Sequence, residues 1–424
     1  MKTAAIVLFI AMYAVMIFKT SWRLYAAAGT AVIFLILGIM PLGGLWEAIN
    51  WNVLMMITGT MIIVDFFIES RMPNRLADII LSKSPNVMWV TIFMSMFSGI
   101  VSAFIDNVAT VLMIAPVGLA ICRKLAMNPV PMILCIAVSS NLQGAATLVG
   151  DTTSIMLGAY ADMDFIDFFW MDGKPGMFFA VELGALATIP IMMIMFRKEK
   201  QPVKADEPVE VTDYGPTAAL VGVVVLLILA SFIDSDKKPA NTNGYICIAV
   251  AVVCMAVQWI KKKSFGTVKH ALKSIDFETL GLLTSLFVVI GGITEVGLID
   301  DMAMFIKKIG GDSLFLLYTV IVWGSVLISA FVDNIPYVAT MLPVIKGAAS
   351  LLGIDPAILY FGLLSGATLG GNLTPIGASA NITAVGILKK NGYVVSFKEF
   401  PKIGAPFTLT AVTVGYLFIW FVWH

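Results

Sequence analysis

Charge is scarce in this 424-residue sequence: 13% of the residues are Asp, Glu, Lys or Arg, whereas 59% are hydrophobic. A typical soluble domain has about 25% charged residues and 45–50% apolar ones. The composition therefore excludes a soluble multidomain enzyme. The 27 basic and 27 acidic residues balance, which leaves no basic excess with which to bind nucleic acid.

Cysteine and histidine are also rare, with four and two residues. The cysteines lie in apolar runs without C-x-x-C spacing, which excludes a disulfide scaffold. The sequence contains no G-x-x-x-x-G-K-[ST], H-E-x-x-H or G-x-S-x-G motif, the patterns of phosphate-binding loops, zinc proteases and serine hydrolases. We therefore predict neither an enzyme nor a cofactor or metal site, and a pump role would require a separate ATPase subunit.

Long apolar runs, in contrast, are abundant. A helix needs roughly 20 apolar residues to cross a bilayer, so the chain has room for about ten to twelve crossings. We predict an all-α polytopic protein whose main partner is the lipid bilayer. The runs cover 4–18, 24–40, 52–68, 88–121, 130–160, 177–196, 216–233, 245–260, 277–294, 313–350, 357–388 and 403–423.

Four of these runs contain polar or glycine-rich breaks. We interpret 88–121 and 313–350 as re-entrant hairpins, and 130–160 and 357–388 as broken helices. If the hairpins enter and leave on one side, every Lys/Arg cluster falls on the cytoplasmic side, as the positive-inside rule requires. This topology predicts ten spans and two hairpins in the plasma (inner) membrane, with both termini outside.

The two halves of the sequence repeat each other. Ser102–Asn107 recurs as Ser329–Asn334, and the same offset of 227 residues pairs Gly150 with Gly377. We predict a first repeat over 1–196, a cytoplasmic linker over 197–214 and a second repeat over 215–424. Because five spans is an odd number, the repeats are inverted. Inverted repeats with broken helices are typical of secondary transporters that bind substrate at the breaks.

Three acids lie in these breaks without Lys or Arg in their motifs: Asp106, Asp151 and Asp333. A charge at the bilayer centre costs at least about 2.5–3.5 kcal/mol, so each must be protonated, bind a cation or accept backbone N–H groups. We predict that they couple transport to H⁺ or Na⁺; the alternative is that each caps its own turn. The predicted substrate-binding residues are Asn107, Thr147, Gly150, Thr152, Thr153, Asn334, Thr374, Gly377, Ser379 and Asn381.

These motifs resemble the ion transporter superfamily, and within it the arsenite permease and P-protein group, whose membrane domain is citrate-transporter-like. The strongest parts are Ser102–Val117, Gly144–Ser154, Ser329–Val344 and Gly371–Asn381. Asp106-Asn107 and Gly150–Thr153 also look like the sodium/proton antiporters of this superfamily. The resemblance implies a homodimer in which a transport domain moves as an elevator against a scaffold. The transport domain would hold 88–196 and 313–424.

The resulting functional hypothesis is an ion-coupled secondary transporter. It would move a small inorganic solute, such as arsenite or a similar weak acid or oxyanion, in exchange for protons. Na⁺/H⁺ antiport is the first alternative and di- or tricarboxylate transport the second. The hairpin tips read Asp-Asn rather than the Ser-Asn-Thr of related dicarboxylate transporters, which disfavours a carboxylate. A passive channel is the alternative from a different class.

Overall fold

The computed structural model describes residues 1–203, 209–234, 237–311 and 313–424. Residues 204–208 of the predicted linker therefore lie outside the described residues. The helices are α1 Lys2–Phe18, α2 Arg23–Ile36, α3 Leu45–Ala48, α4 Trp51–Glu69, α5 Met72–Lys83, α6 Val87–Ser102, α7 Asn107–Lys124, α8 Val130–Gln143, α9 Thr152–Tyr160, α10 Met177–Met195, α11 Gly215–Ala230, α12 Thr242–Lys262, α13 Phe265–Lys273, α14 Phe277–Glu295, α15 Leu298–Gly310, α16 Leu314–Ser329, α17 Asn334–Leu352, α18 Ala357–Gly370, α19 Ser379–Lys390 and α20 Pro401–Trp423. The strands are β1 Trp170–Met171 and β2 Lys174–Pro175, which pair antiparallel.

The predicted all-α class is confirmed, since helices account for nearly all regular structure in the described residues. By length and composition, seven of the described helices can cross a membrane: α4, α7, α10, α12, α14, α17 and α20. An eighth span arises if α15 and α16, which meet at a bend of 115°, count as one. The sequence predicted ten spans. Of the seven helices, α7 and α17 are arms of the predicted hairpins and the other five are predicted spans. The remaining five predicted spans form helices of 10–17 residues, including both broken ones.

The order of elements in α1–α10 recurs in α11–α20. A 3₁₀ turn follows α8 at Gly144–Ala146, and a second follows α18 at Gly371–Leu373. Equivalent helices also begin with equivalent caps. Asn86 accepts a hydrogen bond from a backbone N–H of α6, and Ser313 accepts one from α16. Such caps satisfy amide groups that a helix start leaves free. The membrane sides of the two sets remain predictions.

The helices that carry the breaks lie at the centre of the molecule. Every residue of α18 is buried, and in α8 only Pro131 is not. The helices α10, α12 and α20 instead keep apolar side chains exposed, among them Leu186, Val253 and Phe421. A helix that is apolar on all sides belongs in a core or in lipid. The exposed faces therefore fit hydrocarbon, and the breaks in α8–α9 and α18–α19 are shielded from it.

Candidate functional site

The two hairpin tips have the same local structure. Asp106 precedes α7, and its carboxylate accepts hydrogen bonds from the backbone N–H of Val108 at 3.0 Å and of Ala109 at 3.1 Å. Asp333 precedes α17 and accepts one from the N–H of Ile335 at 3.2 Å. Both aspartates therefore cap the return arm of their hairpin. The capping role that the sequence left open is present, and it leaves further carboxylate lone pairs for a cation.

The broken helices bind the hairpin tips through two equivalent threonines. The chain becomes extended at Thr147, with φ −131°, and at Thr374, with φ −132°. The hydroxyl of Thr147 donates to the carbonyl oxygen of Ala103, and that of Thr374 donates to Ala330. The sequence assigned both threonines to substrate. In the structure they instead hold each break against its hairpin.

Gly150 and Gly377 occupy equivalent positions of close backbone approach. A β-carbon on Gly150 would lie 2.5–2.7 Å from the carbonyl oxygens of Gly144, Ser102 and Ala103. A β-carbon on Gly377 would meet three equivalent carbonyl oxygens at 2.6–2.8 Å. Only glycine fits such a contact. These two residues, predicted from the sequence to bind substrate, therefore pack the breaks.

Asp151 is a buried acid, 2% exposed, at the start of α9. Its carboxylate accepts a hydrogen bond from the hydroxyl of Thr153 at 2.7 Å and a long one from the side-chain amide of Asn334 at 3.5 Å. The Thr153 hydroxyl also lies 3.3 Å from that of Thr368. The site thus joins α9 of the first half to α17 and α18 of the second half.

A chain of buried amides continues this connection. The side-chain amide of Asn107 donates to Asn141 at 2.9 Å, and that of Asn141 donates to Asn372 at 3.1 Å. Asn381 donates to the same Asn372 oxygen at 3.2 Å. The sequence analysis missed Asn141 and Asn372. The available signal was that each is an amide in or beside a buried helix, where an unpaired polar group is costly.

Asp333 has a basic partner that the sequence analysis did not recognise. The Arg23 guanidinium at the start of α2 donates to the Asp333 carboxylate at 2.8 Å and to the Ser379 hydroxyl at 3.0 Å. It also contacts Glu278 at 3.3 Å. Arg23 belongs to one of the Lys/Arg clusters that the sequence analysis used only to assign the cytoplasmic side. The motif of Asp333 contains no Lys or Arg, but a basic side chain from a distant part of the chain reaches it.

A cavity of about 610 Å³ lies where these elements meet, beside the start of α2, the end of α4 and the start of α14. These are the helix ends next to the Lys/Arg clusters. The charged residues of its lining, in the part of the chain that the structure describes, are one arginine and five acids: Arg23, Asp65, Asp106, Asp151, Asp276 and Glu278. Four further predicted residues line it: Asn107, Thr152, Asn334 and Ser379. The remaining predicted residues are not part of the described lining: Thr147, Gly150, Thr153, Asp333, Thr374, Gly377 and Asn381. The cavity is therefore acidic and suited to cations or uncharged solutes.

A larger cavity of about 990 Å³ lies at the opposite ends of α4 and α14. Its described lining includes Trp46, Asn52, Tyr160 and Glu295 and none of the site residues that the sequence predicted. In the described residues, no group of three or more His, Cys, Asp or Glu side chains is arranged to hold a metal ion. The smaller cavity is therefore the candidate site.

Comparison with known proteins places the chain among transporters. The model of the citrate transporter family matches residues 12–366. An uncharacterized transporter of Mycobacterium tuberculosis is 28% identical over 99% of this chain and 98% of its own. The P protein of Mus musculus is 26% identical over 98% of this chain and 60% of its own length. The crystal structure of the Alcanivorax borkumensis YdaH transporter aligns with a TM-score of 0.61 and 12% identity, over 89% of this chain and 86% of that one.

Proposed function

This chain belongs to the citrate transporter family, and from that premise we propose that it exchanges a small inorganic solute for protons across the membrane. It is a secondary transporter with many membrane-crossing helices, and its relatives are named as transporters. The sequence-based resemblance to the P-protein group is confirmed by the relatives. The coupling ion, the transported solute and the movement of the transport domain are the subject of the proposal.

The acidic lining of the 610 Å³ cavity carries the proposal. Asp106 and Asp151 face it from the two elements that break in the first half. A buried carboxylate without a fixed counter-ion takes up a proton or binds a cation. Protonation and deprotonation of these two acids, joined by Asp333, would couple the solute to the proton gradient.

The polar, uncharged groups of the cavity fit a neutral solute. Asn107, Thr152 and Asn334 present amides and a hydroxyl beside the acids. Such groups form hydrogen bonds with a protonated weak acid such as arsenous acid. Among the described residues that line the cavity, a multiply charged carboxylate or oxyanion would face five acids and one guanidinium, that of Arg23. Within the predicted solute class, the uncharged weak acid is therefore favoured over an oxyanion.

Na⁺/H⁺ exchange is the second candidate, and the same five acids favour it. Carboxylates and backbone carbonyl oxygens at helix breaks are ligands that transporters use for Na⁺. The two candidates share the acids and differ only in the transported species. Flux of ²²Na⁺ against a proton gradient, measured beside flux of arsenite, separates them.

The proposed movement is that of an elevator. Hairpins and broken helices are held to each other by Thr147, Thr374 and the chain of amides through Asn141. These bonds support the proposal that the segments 88–196 and 313–424 move as one unit. We further propose, from the family resemblance alone, that the remaining spans form a scaffold and that the protein is a homodimer, which light scattering of the purified protein would test.

Proteoliposomes with an imposed pH gradient test the coupling. We expect Asp106→Asn, Asp151→Asn and Asp333→Asn to lose gradient-driven accumulation of arsenite and ²²Na⁺, because an amide cannot release a proton. Asp234→Asn is the matched control, since this carboxylate is 72% exposed in a surface ion pair. Unchanged coupled transport in Asp106→Asn and Asp333→Asn would refute the coupling role. Flux that ignores imposed pH and Na⁺ gradients would indicate a passive channel.

A further inference from the structure

The two hairpin tips share a backbone structure but differ in the contacts of their aspartates. The carboxylate of Asp106 accepts hydrogen bonds from the backbone N–H of Val108 and Ala109. The carboxylate of Asp333 accepts one backbone N–H and, in addition, a guanidinium N–H of Arg23 at 2.8 Å. The repeat therefore predicts equal ion sites at the two tips, whereas among the described residues a protein cation contacts the aspartate of the second tip only.

The contact at Asp333 is a closed triangle. Arg23 donates to Asp333 and to the hydroxyl of Ser379 at 3.0 Å, and Ser379 donates to Asp333 at 2.7 Å. The side chains of Arg23 and Asp333 are only 19% and 12% exposed. Glu278, the other partner of Arg23, is 52% exposed, so water and salt weaken that pair. Asp333 is therefore the main electrostatic partner of Arg23.

The two members of this pair lie on different parts of the chain. Asp333 caps α17 within the second hairpin, and Ser379 begins α19 of the second broken helix. Arg23 begins α2, which packs against α1 and α14 outside the predicted transport domain. An elevator movement that carries α17 away from α2 must separate the guanidinium from the carboxylate. The pair can therefore exist on one side of the cycle only.

We propose that Arg23 is a tethered cation that displaces the coupling ion from Asp333 when the site faces the basic-cluster side of the membrane. This inference rests on the proposed ion-coupled exchange. A guanidinium stays protonated at physiological pH, so it competes with H⁺ or Na⁺ for the carboxylate whenever the two meet. The ion that Asp333 carried is released toward the adjacent 610 Å³ cavity, whose lining includes the acids Asp276 and Glu278.

The test measures transport separately from each face of the membrane. Inside-out and right-side-out vesicles report exchange of ²²Na⁺ and of arsenite as the H⁺ or Na⁺ concentration is varied on one face. Since a basic neighbour shifts a carboxylate by about one to three pKa units, we expect Arg23→Gln to lower the half-saturating cation concentration on the basic-cluster face about tenfold or more. Turnover should fall because release slows, and the opposite face should keep its wild-type value.

Three variants sharpen this experiment. Lys19→Gln removes a nearby exposed charge that contacts the Trp22 ring and should leave both faces unchanged. Arg23→Lys keeps a cation and should restore part of the wild-type release. Arg23→Gln combined with Asp333→Asn should behave as Asp333→Asn alone, because the competing carboxylate is gone.

Two outcomes would overturn the proposal. One is that Arg23→Gln, in protein that melts at the wild-type temperature, changes the half-saturating cation concentration equally on both faces or leaves it unchanged on both. The other is an Arg23→Gln effect that persists in the Asp333→Asn background. Failure of the proposed function gives a different result, because Asp106→Asn and Asp333→Asn would then both retain coupled exchange. The role of Arg23 is measured separately, by comparing the two faces of the membrane.

Discussion

Replacing Gly377 with alanine tests whether the breaks depend on close contact between backbones. The new methyl group would lie 2.6 Å from the carbonyl oxygens of Gly371 and Ser329, and 2.8 Å from that of Ala330. These distances are about 0.5–0.7 Å below the roughly 3.3 Å at which carbon and oxygen make a favourable contact. Three carbonyl groups on two separate segments must therefore move apart.

The expected cost follows from two effects. Overpacking of a close-fitting site costs about 1–3 kcal/mol. Movement of the Ala330 carbonyl also weakens the hydrogen bond from Thr374, whose net contribution is about 1 kcal/mol. Gly377→Ala should therefore destabilise the folded protein by about 2–4 kcal/mol. Gly150→Ala should cost a similar amount, because its three carbonyl contacts at 2.5–2.7 Å are equivalent.

The assay is the thermal unfolding midpoint of the purified protein in one detergent at one scan rate, since such unfolding is commonly irreversible. Gly386→Ala is the matched control. It lies within α19, and apart from the backbone of its own helix no described atom lies within 4 Å of its added β-carbon, so alanine there should stabilise by about 0.5–1 kcal/mol. Equal midpoints for Gly377→Ala and Gly386→Ala would refute the reasoning.

Two other perturbations have defined outcomes. Asn141→Leu should lower the thermal midpoint by more than a leucine placed at the exposed Thr413, because the side-chain amide of Asn107 loses its acceptor and an unpaired buried group costs about 1–3 kcal/mol; equal midpoints would contradict this. The pKa of Asp213 results from partial burial, which raises it, and from hydrogen bonds from Lys261, Gly215 and Gln258, which together lower it to about 2. Because the folded pKa lies below the unfolded one, Asp213 should stabilise the protein above about pH 4 and lose this contribution as the pH falls toward 2. Asp213→Asn should therefore narrow the difference between melting midpoints at pH 6 and pH 3, and an unchanged difference would contradict the assignment.

The sequence predicted the positions of the breaks well because the same motif occurs in both halves of the chain. Asp106 and Asp333 occur in copies of one motif, and both cap a helix in the structure. Polar residues interrupting an apolar run have few roles at membrane depth, so their positions alone indicate a site. The residues within the breaks were harder to assign. Thr147 and Thr374 were expected to bind substrate, but an unwound backbone must first satisfy its own carbonyl groups.

Contacts between distant segments were not predictable from these motifs. Arg23 and Asp333 are 310 residues apart, and nothing in the local sequence of either indicates the other. Lys/Arg counting assigns a side of the membrane to a loop, yet it cannot tell which side chain turns inward. The amide of Asn141 was missed for a similar reason. Asn141 lies within the buried helix α8, and its partners Thr368 and Asn372 belong to the other half.

The bond between Asn141 and Asn372 has a consequence for the order in which the protein is made. Its two residues are separated by 231 positions, which a ribosome adding about 5–20 residues per second needs roughly 10–50 s to cover. During that interval the first half has no second half to pair its buried amides. Because such groups are costly in hydrocarbon, the newly made first half must keep Asn141 in contact with water or with the insertion machinery. Final folding of the centre must therefore wait until α18 has been synthesised.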